Sequence, residues 1–191
     1  LGTEVTIIET ADTFLQREDP DAAEILKISM ERDGVIVRLS TSLERVQLKG
    51  SEKTLILKTP IGEEMITVDQ ILLGVGRRPN IESLDLEAAG VAFGQHGVTV
   101  DDFLRTTNRR VYASGDVCLP FKFTHTADAT SRAVIQNALF PGPKKHLSKL
   151  VIPWCTYTDP EIAHVGLYPH QAESRGIAVE SWEVAMDDVD R

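Results

Sequence analysis

The hydrophobic pattern of the first 40 residues changes its period twice. Residues 5–8 (VTII) form a β-branched run that is typical of a buried strand. Asp19-Pro20 then marks a helix start, and apolar residues follow at helical spacing as far as Gly34. Residues 35–39 are again strand-like. This order of strand, helix and strand predicts a parallel α/β unit with a right-handed crossover.

The next segment has the alternating pattern of antiparallel strands. Residues 46–48 and 54–57 flank a turn-like segment, which predicts a β-hairpin. A second turn at 60–63 leads into a predicted strand at 65–73 that ends in the apolar run 71–73. The pattern therefore predicts a small antiparallel meander and a return strand.

A glycine- and proline-containing segment, 74–80 (GVGRRPN), indicates a sharp turn and a crossing between domains. Beyond it, residues 81–89 have a weak helical pattern closed by Gly90. Strands are predicted at 98–100 and 111–113. Residues 124–139 form the strongest helical pattern in the chain, and Pro141-Gly142-Pro143 ends it.

A third region follows a linker that begins near residue 144. Its pattern predicts a strand at 153–157, a short helix at 169–175 and an alternating strand at 177–186. We find no internal repeat and no low-complexity tract.

Composition and charge narrow the functional classes. The chain has 191 residues with 42% hydrophobic and 26% charged residues, an ordinary globular balance. Its formal net charge of −9 disfavours general nucleic-acid binding. No apolar run reaches the roughly 18 residues of a membrane span, so we expect no membrane partner. The start at Leu1 is unlike a natural N-terminus, so we expect a piece of a longer protein.

The cysteines and histidines give no metal signature. Cys118 and Cys155 form no CxxC pair, which suggests a reducing, cytoplasmic compartment and two small buried side chains. His125 and His164 are interpreted as structural residues, because the five histidines show no metal-ligand spacing with the cysteines.

Glu9 closes the first predicted strand. An acid in this position of a dinucleotide-binding fold accepts hydrogen bonds from the adenosine ribose and repels a 2′-phosphate, which favours NAD over NADP. The simpler interpretation is a solvated glutamate at a strand end. No glycine fingerprint precedes Glu9 in this chain.

Residues 112–116 (YASGD) are the most informative short motif. Asp116 follows a strand and precedes a long helix, so it stands where α/β folds bind ligands and could accept hydrogen bonds from sugar hydroxyls. The N-terminus of the 124–139 helix could direct N–H donors at a phosphate or an electron-rich ring. An acid that merely caps a turn is the alternative.

The 74–80 segment is not a phosphate-binding GxGxxG, because proline occupies its sixth position, and a plain interdomain turn remains possible.

Taken in order, several motifs resemble the pyridine nucleotide-disulfide oxidoreductase family, most of all its mercuric reductase-like branch, with dihydrolipoyl dehydrogenase and glutathione reductase as other members. The resemblance covers essentially the whole chain, and the motifs that carry it are these segments: 5–9, 73–80, 106–117, 123–127 and 153–167.

The resemblance implies an α/β fold made of pieces of two Rossmann-like, FAD- and NAD(P)-binding domains with an inserted antiparallel β-meander, plus the start of an α+β dimerisation domain. It assigns residues 1–74 to a partial NAD(P)-binding domain and 75–145 to the return segment of the FAD-binding domain. Residues 146–191 would begin the C-terminal dimerisation domain, which implies a homodimer.

The resemblance also assigns cofactor contacts. Asp116 would bind the ribityl chain of FAD, and residues 122–125 would lie by the flavin at the helix N-terminus. Glu9 would hold the NAD ribose, Val46 would lie near the adenine, and Gly76 would approach the cofactor between domains. The full set of implied cofactor-binding residues is Glu9, Val46, Gly76, Arg77, Gly115, Asp116, Lys122, Phe123, Thr124, His125 and Ala127. No catalytic residue and no metal ligand is assigned.

By the same resemblance, the parent enzyme would pass a hydride from NAD(P)H to FAD and on to a redox-active disulfide, a role in cell redox homeostasis. Its substrate would be a small-molecule or protein disulfide, or a metal ion. The glycine fingerprints and the cysteine pair of the family have no counterpart here, so we expect the chain itself to be inactive. The alternative is a non-catalytic folded interaction or dimerisation module.

Overall fold

The computed structural model describes residues 2–185, which form two compact units. Unit 1 comprises residues 2–72 and 153–185, and unit 2 comprises residues 73–152. Unit 1 is therefore discontinuous in sequence, whereas unit 2 is continuous. The mixed α/β character expected from the sequence is confirmed. Its division into partial cofactor-binding and dimerisation domains stays a prediction.

Unit 1 begins with the predicted strand–helix–strand motif. Strand β1 (Thr6–Ile8) pairs in parallel with β2 (Ile36–Arg38), and helix α1 (Pro20–Arg32) connects them. The side chain of Asp19 caps the helix by accepting from the Asp21 amide. The predicted order of strand, helix and parallel strand is confirmed, because the helix cap and the apolar spacing are local signals.

An antiparallel meander follows in unit 1. Strands β3 (Ser42–Lys49), β4 (Glu52–Thr59) and β5 (Gly62–Val68) lie in that order. Leu55, Ile56 and Leu57 of the central strand are all buried, so both of its faces are covered. The salt bridge between Arg38 and Glu64 joins β2 to β5.

The predicted strand over 65–73 is wrong at its C-terminal end. β5 ends at Val68, the partner of Lys53 in the last pair of its ladder with β4. The 71–73 run pairs with no strand of residues 2–185, and Leu72 is 97% exposed. The 71–73 run is hydrophobic, but no described strand lies beside it to pair with its backbone N–H and C=O groups, so it does not form a strand.

The C-terminal part of unit 1 is short. Strands β8 (Trp154–Thr156) and β9 (Ile162–His164) form an antiparallel pair, and helix α3 (Pro169–Ser174) follows as predicted. Residues 177–185 form no strand, which contradicts the alternating-strand prediction, and they have no described pairing partner. Position 186 of that prediction lies outside the described residues.

Unit 2 has a small apolar core and one long helix. Leu86, Val91 and Val98 form the core, and the hairpin of β6 (Phe93–Gly94) and β7 (Gly97–Val98) lies beside it. A 3-10 turn (Gly115–Val117) precedes helix α2 (Thr124–Leu139), and a second 3-10 turn (Leu147–Lys149) follows. The predicted helix at 124–139 is confirmed at both ends.

Two other predictions in unit 2 are wrong. Residues 81–89 form turns and not a helix, since Ser83 and Asp85 adopt positive φ angles of 62° and 47°. The predicted strand at 111–113 is reduced to an isolated bridge between Arg105 and Tyr112. Every helix within residues 2–185 is too short or too polar to cross a membrane.

Candidate functional site

A tight turn at residues 114–117 is the centre of the candidate site in unit 2. Gly115 has φ +71°, its amide donates to the Thr130 hydroxyl at 3.2 Å, and a Cβ on it would lie 2.9 Å from the Cβ of Ala127. The hydroxyls of Ser114 and Ser131 are 3.0 Å apart. Glycine is therefore required at 115, because its backbone lies against the first two turns of α2.

The other side of the turn is equally close-packed. Gly97 has φ +107°, and a Cβ there would lie 2.1 Å from the backbone oxygen of Val117 and 3.2 Å from the Cβ of Pro79. The turn is thus held between β7 and α2. This packing fixes the backbone that carries Asp116.

Asp116 itself is exposed, and among residues 2–185 its carboxylate accepts no hydrogen bond. Lys122 instead bonds to backbone: its Nζ donates to the oxygens of Asp116 at 2.9 Å and Leu119 at 3.0 Å. Arg77 Nη1 donates to the Lys122 oxygen at 2.8 Å. Asp116, Lys122 and Arg77 are thereby brought together, with the Asp116 carboxylate available to an external donor.

Helix α2 begins beside this turn. Phe123 is its N-cap residue and provides no side-chain cap, and no acid lies in the first turn. The rings of Phe123 and His125 stack with centroids 5.3 Å apart. The hydroxyl of Thr126 is buried and has no hydrogen-bond partner among residues 2–185. A helix N-terminus without a side-chain cap can donate backbone hydrogen bonds to a polar acceptor group.

The remaining predicted positions of unit 2 complete the cluster. Ala127 contacts the Gly115 position from α2, and Thr124 is the exposed first residue of that helix. Gly76 is exposed with φ +105° beside Arg77. The sequence reasoning overlooked Thr126 and Thr130, although hydroxyls four apart on a helix lie on one face and could have indicated a polar contact.

Glu9 and Val46 lie in unit 1. Glu9 follows β1, and its Oε1 accepts from the Ala11 amide at 2.9 Å and the Thr10 hydroxyl at 3.1 Å. These local bonds fix the side chain at the strand end and involve only one of its oxygens. Val46 lies on β3 opposite Leu55 and is 41% exposed.

Unit 1 also contains a polar cluster that the sequence reasoning missed. The Glu18 carboxylate accepts from Trp154 Nε1 at 3.1 Å, from the Thr156 hydroxyl at 2.7 Å and from the Tyr168 hydroxyl at 2.9 Å. The ring of His164 stacks on Tyr168 with a centroid distance of 3.8 Å and contacts the tilted ring of Trp154 at 4.2 Å. Burial and the Glu18 carboxylate raise the pKa of Tyr168. We name these residues the Glu18 cluster.

Neither cysteine has the surroundings of a reactive thiol. Burial raises the pKa of Cys118 to about 11, and its Sγ donates to the Gly115 oxygen at 3.6 Å. Burial, together with Glu161 and Glu18, also raises the pKa of Cys155. Both groups are therefore thiols and not thiolates at neutral pH. The described part of the chain contains no cluster of three metal-ligating side chains.

The comparisons with known proteins agree on one family. Residues 1–139 match the model of the pyridine nucleotide-disulphide oxidoreductases. The chain is 34% identical to a mercuric reductase of Staphylococcus aureus over 192 aligned positions, which span 100% of the chain and 35% of that protein. It is 36% identical to a dihydrolipoyl dehydrogenase of Bacillus subtilis, over 91% of the chain and 37% of that protein.

Solved structures give the same result. An HOCl-induced flavoprotein disulfide reductase from Escherichia coli superposes with a TM-score of 0.80 at 30% identity. The match covers 91% of the chain and 39% of the reductase. The chain thus spans little more than a third of the length of the relatives it matches.

Proposed function

The chain belongs to the pyridine nucleotide-disulphide oxidoreductase family, and from that premise we propose that it provides cofactor-contacting parts of a flavin-dependent oxidoreductase. Members of this family use FAD and NAD(P)H. When bound, the flavin supplies a hydride acceptor between the pyridine nucleotide and the final substrate. We assign FAD contacts to unit 2 and NAD(P) contacts to Glu9 and Val46 of unit 1.

The arrangement at the start of α2 is the observation that carries this proposal. The exposed Asp116 carboxylate offers acceptors for the hydroxyls of a sugar-like chain. The N-terminus of α2, which has no side-chain cap, offers backbone donors to an electron-rich ring or a phosphate. These residues fit the polar groups of FAD, and the close packing at Gly115 holds the two parts in fixed positions.

Glu9 suits a nucleotide whose adenosine ribose carries no 2′-phosphate. Its Oε1 is held by local donors, so the other carboxylate oxygen can accept from a ribose hydroxyl. A 2′-phosphate would place negative charge against this carboxylate, so we propose a preference for NAD over NADP.

Reduction of the final substrate requires thiols that this chain does not supply. Cys118 and Cys155 both have raised pKa values, and a protonated thiol is a poor nucleophile in disulfide exchange. We propose that the substrate is a disulfide or a metal ion, and that the chain alone does not reduce it. The mercuric reductase and dihydrolipoyl dehydrogenase relatives support these two substrate classes.

The C-terminal segment suits contact with a second copy. Trp182 is 87% exposed and Val184 is 68% exposed, so both apolar side chains are accessible to a second copy. We propose that this region takes part in a homodimer. Light scattering after size exclusion tests it, with twice the 21.1 kDa mass expected for the wild-type chain and monomer for a Trp182→Ser, Val184→Ser variant. A wild-type monomer, or an unchanged dimer in the variant, contradicts the assignment.

Titration of the chain with FAD tests the flavin assignment. We expect saturable quenching of flavin fluorescence, and about tenfold weaker binding for Asp116→Asn, because a charged acceptor is lost. Asp128→Asn is the matched control, since it removes an exposed carboxylate of α2 outside the proposed contacts. Absence of binding, or equal weakening by both variants, contradicts the assignment and favours the non-catalytic interaction module.

An assay of NADH oxidation with added FAD tests the proposed inactivity. We expect no rate above that of free FAD. Turnover at the level of a typical enzyme, about 1 to 1,000 per second, would show that the chain is catalytically competent and that the argument from its thiols is wrong.

A further inference from the structure

Unit 2 contains a cavity that the proposed cofactor contacts do not use. It lies between α2 and the segment 144–150 and has a volume of about 630 Å³. Cavities of roughly 300–1,000 Å³ suit small organic ligands. No residue of the proposed FAD or NAD(P) contacts lines it. We name it the basic groove, after the side chains described below.

Buried polar contacts fix one wall of the basic groove. Asn137 is 5% exposed, its Nδ2 donates to the oxygens of Phe103 at 3.1 Å and Lys145 at 2.9 Å, and its Oδ1 accepts from the Lys145 amide at 2.8 Å. The segment after α2 is therefore attached to the helix at Lys145.

A second anchor lies a few residues further along. The Asp102 carboxylate accepts from the Ser148 amide at 2.7 Å and the Ser148 hydroxyl at 3.0 Å, and it lies 2.7 Å from His146 Nδ1. These bonds lower the pKa of Asp102, chiefly through the Ser148 amide. With both anchors in place, the groove exists without a ligand, which reduces the cost of ordering it on binding.

The floor of the groove is apolar. Its accessible surface comes from four half-buried aliphatic side chains: Ala129, Ala133, Leu147 and Leu150. Leu104 also lines the groove but is only 1% exposed. A ligand with a hydrocarbon or aromatic body would remove this surface from water.

Four basic side chains line the rim and no carboxylate does, although Asp102 and Asp128 each bond to a lining residue. Arg132, Lys144, Lys145 and Lys149 line the groove, although the whole chain has a formal charge of −9. Lys145 and Lys149 are exposed and form no ion pair within residues 2–185. A concentration of positive charge on an acidic chain selects for an anion.

The other cations are partly occupied. Lys144 Nζ donates to the oxygens of Asn137 at 2.8 Å and Phe140 at 3.1 Å, at the C-terminus of α2. Arg132 pairs with Asp128 at 2.9 Å, but both side chains are exposed and such pairs contribute little. Lys145 and Lys149 therefore remain the best candidates to contact a ligand.

We propose that the basic groove binds a small organic anion with an apolar body. The body lies on the floor formed by Ala129, Ala133 and Leu147, and the anionic group, a sulfonate, carboxylate or phosphate, faces Lys145 and Lys149. This binding function is additional to the proposed flavin and nucleotide contacts and does not depend on them.

Naphthalene-1-sulfonate is a suitable probe, and uncharged naphthalene-1-sulfonamide is its matched control. Isothermal titration with the full chain measures affinity, and amide chemical shifts identify the site. We expect the sulfonate to bind about tenfold more tightly than the sulfonamide and to shift the amides of 129–136 and 144–150. Equal affinity for the two probes, or shifts confined to other segments, would overturn the proposal.

Two double variants locate the charge. Lys145→Gln, Lys149→Gln should weaken binding of the sulfonate about tenfold without changing that of the sulfonamide. Lys49→Gln, Lys58→Gln removes the same charge from exposed positions of the meander in unit 1 and should change neither. Equal weakening by both double variants would mean non-specific attraction and would overturn the proposal.

Competition with FAD separates this site from the proposed flavin contacts. We expect saturating FAD to leave the affinity for the sulfonate unchanged, whereas displacement by FAD would overturn a separate site. Asp116→Asn should likewise leave binding of the sulfonate unchanged, so failure of the flavin proposal and failure of this one give different results.

Discussion

The Glu18 cluster of unit 1 and the 114–117 turn of unit 2 hold their segments together by opposite means. Glu18 acts through hydrogen bonds from three side chains that reach one carboxylate. The turn is held by the absence of space on both sides, with Gly97 against Val117 and Gly115 against Ala127. The cluster depends on the carboxylate of Glu18, whereas the turn depends on the lack of a side chain at Gly97 and Gly115.

This difference decides which substitutions each region tolerates. When a carboxylate accepts several hydrogen bonds, the protein loses stability in proportion to the acceptors that are removed. An amide in place of the carboxylate keeps one acceptor oxygen and so keeps part of the stability. A close-packed backbone contact tolerates no partial substitution, because even a single methyl group on the glycine overlaps the neighbouring atoms.

The largest effect is expected at Gly97. Its replacement by alanine places a Cβ 2.1 Å from a backbone oxygen, and we expect a loss of about 4 kcal/mol in the free energy of unfolding. Gly76→Ala is the control, since Gly76 has nearly the same φ, +105°, but nothing within 4 Å. Urea unfolding should show a much smaller loss for the control. Equal losses would mean that φ strain, and not lack of space, explains the glycine.

Removal of the Glu18 carboxylate should have the next largest effect. Glu18→Ala leaves the half-buried donors of Trp154, Thr156 and Tyr168 without their acceptor, and we expect a loss of about 2 to 3 kcal/mol. Glu18→Gln retains one acceptor oxygen and should lose about half as much. Near-ultraviolet circular dichroism and urea unfolding measure both. A variant as stable as wild type would show that water replaces the carboxylate.

A smaller effect is expected at Thr130, whose hydroxyl hydrogen-bonds to the close-packed Gly115 backbone. The Thr130 hydroxyl accepts from the Gly115 amide and donates to the Thr126 oxygen at 2.8 Å. Thr130→Val preserves the shape but leaves the buried amide unpaired, which we expect to cost about 1 to 2 kcal/mol in urea unfolding. Thr124→Val is the control at an exposed position of the same helix. A neutral Thr130→Val would mean that packing alone fixes the turn.

The smallest effect concerns pH. The pKa of Cys118 is about 11 in the folded chain, above its ordinary value of 9.0. Because the folded state holds this proton more tightly, the associated stability is present below pH 9 and is lost as pH rises towards 11. The stability difference between wild type and Cys118→Ala should therefore decline over that window. A difference that is constant from pH 8 to 11 would contradict the burial of this thiol.

The same contrast explains what the sequence could reveal. Helix α1 with its Asp19 cap, the β3–β4 hairpin and helix α2 are encoded by residues close together in the chain, and all were predicted. The helix predicted at 81–89 failed because Ser83 adopts a left-handed conformation that no periodicity reveals. The end of the strand predicted at 65–73, and the described part of the strand predicted at 177–186, required pairing partners, which a hydrophobic pattern does not supply.

In the candidate site, too, only features encoded by neighbouring residues could be recognised from the sequence. The motif around Gly115 and Asp116 was recognisable because a strand-like segment, a glycine and an acid follow one another in the sequence. The Glu18 cluster was not, because its donors lie 136 to 150 positions away and each residue alone is unremarkable. The unpaired hydroxyl of Thr126 likewise becomes visible only when its surroundings are known.

The discontinuity of unit 1 has a consequence for the order of events during folding. The meander joins residues that are near in sequence and unit 2 is a continuous segment, so the chain can form both with a smaller loss of loop entropy. The Glu18 cluster closes a loop of 136 residues or more, and a chain emerging from the ribosome contains Tyr168 only after all of unit 2 has been synthesised. The hydrogen bonds that complete unit 1 are therefore among the last native contacts to appear.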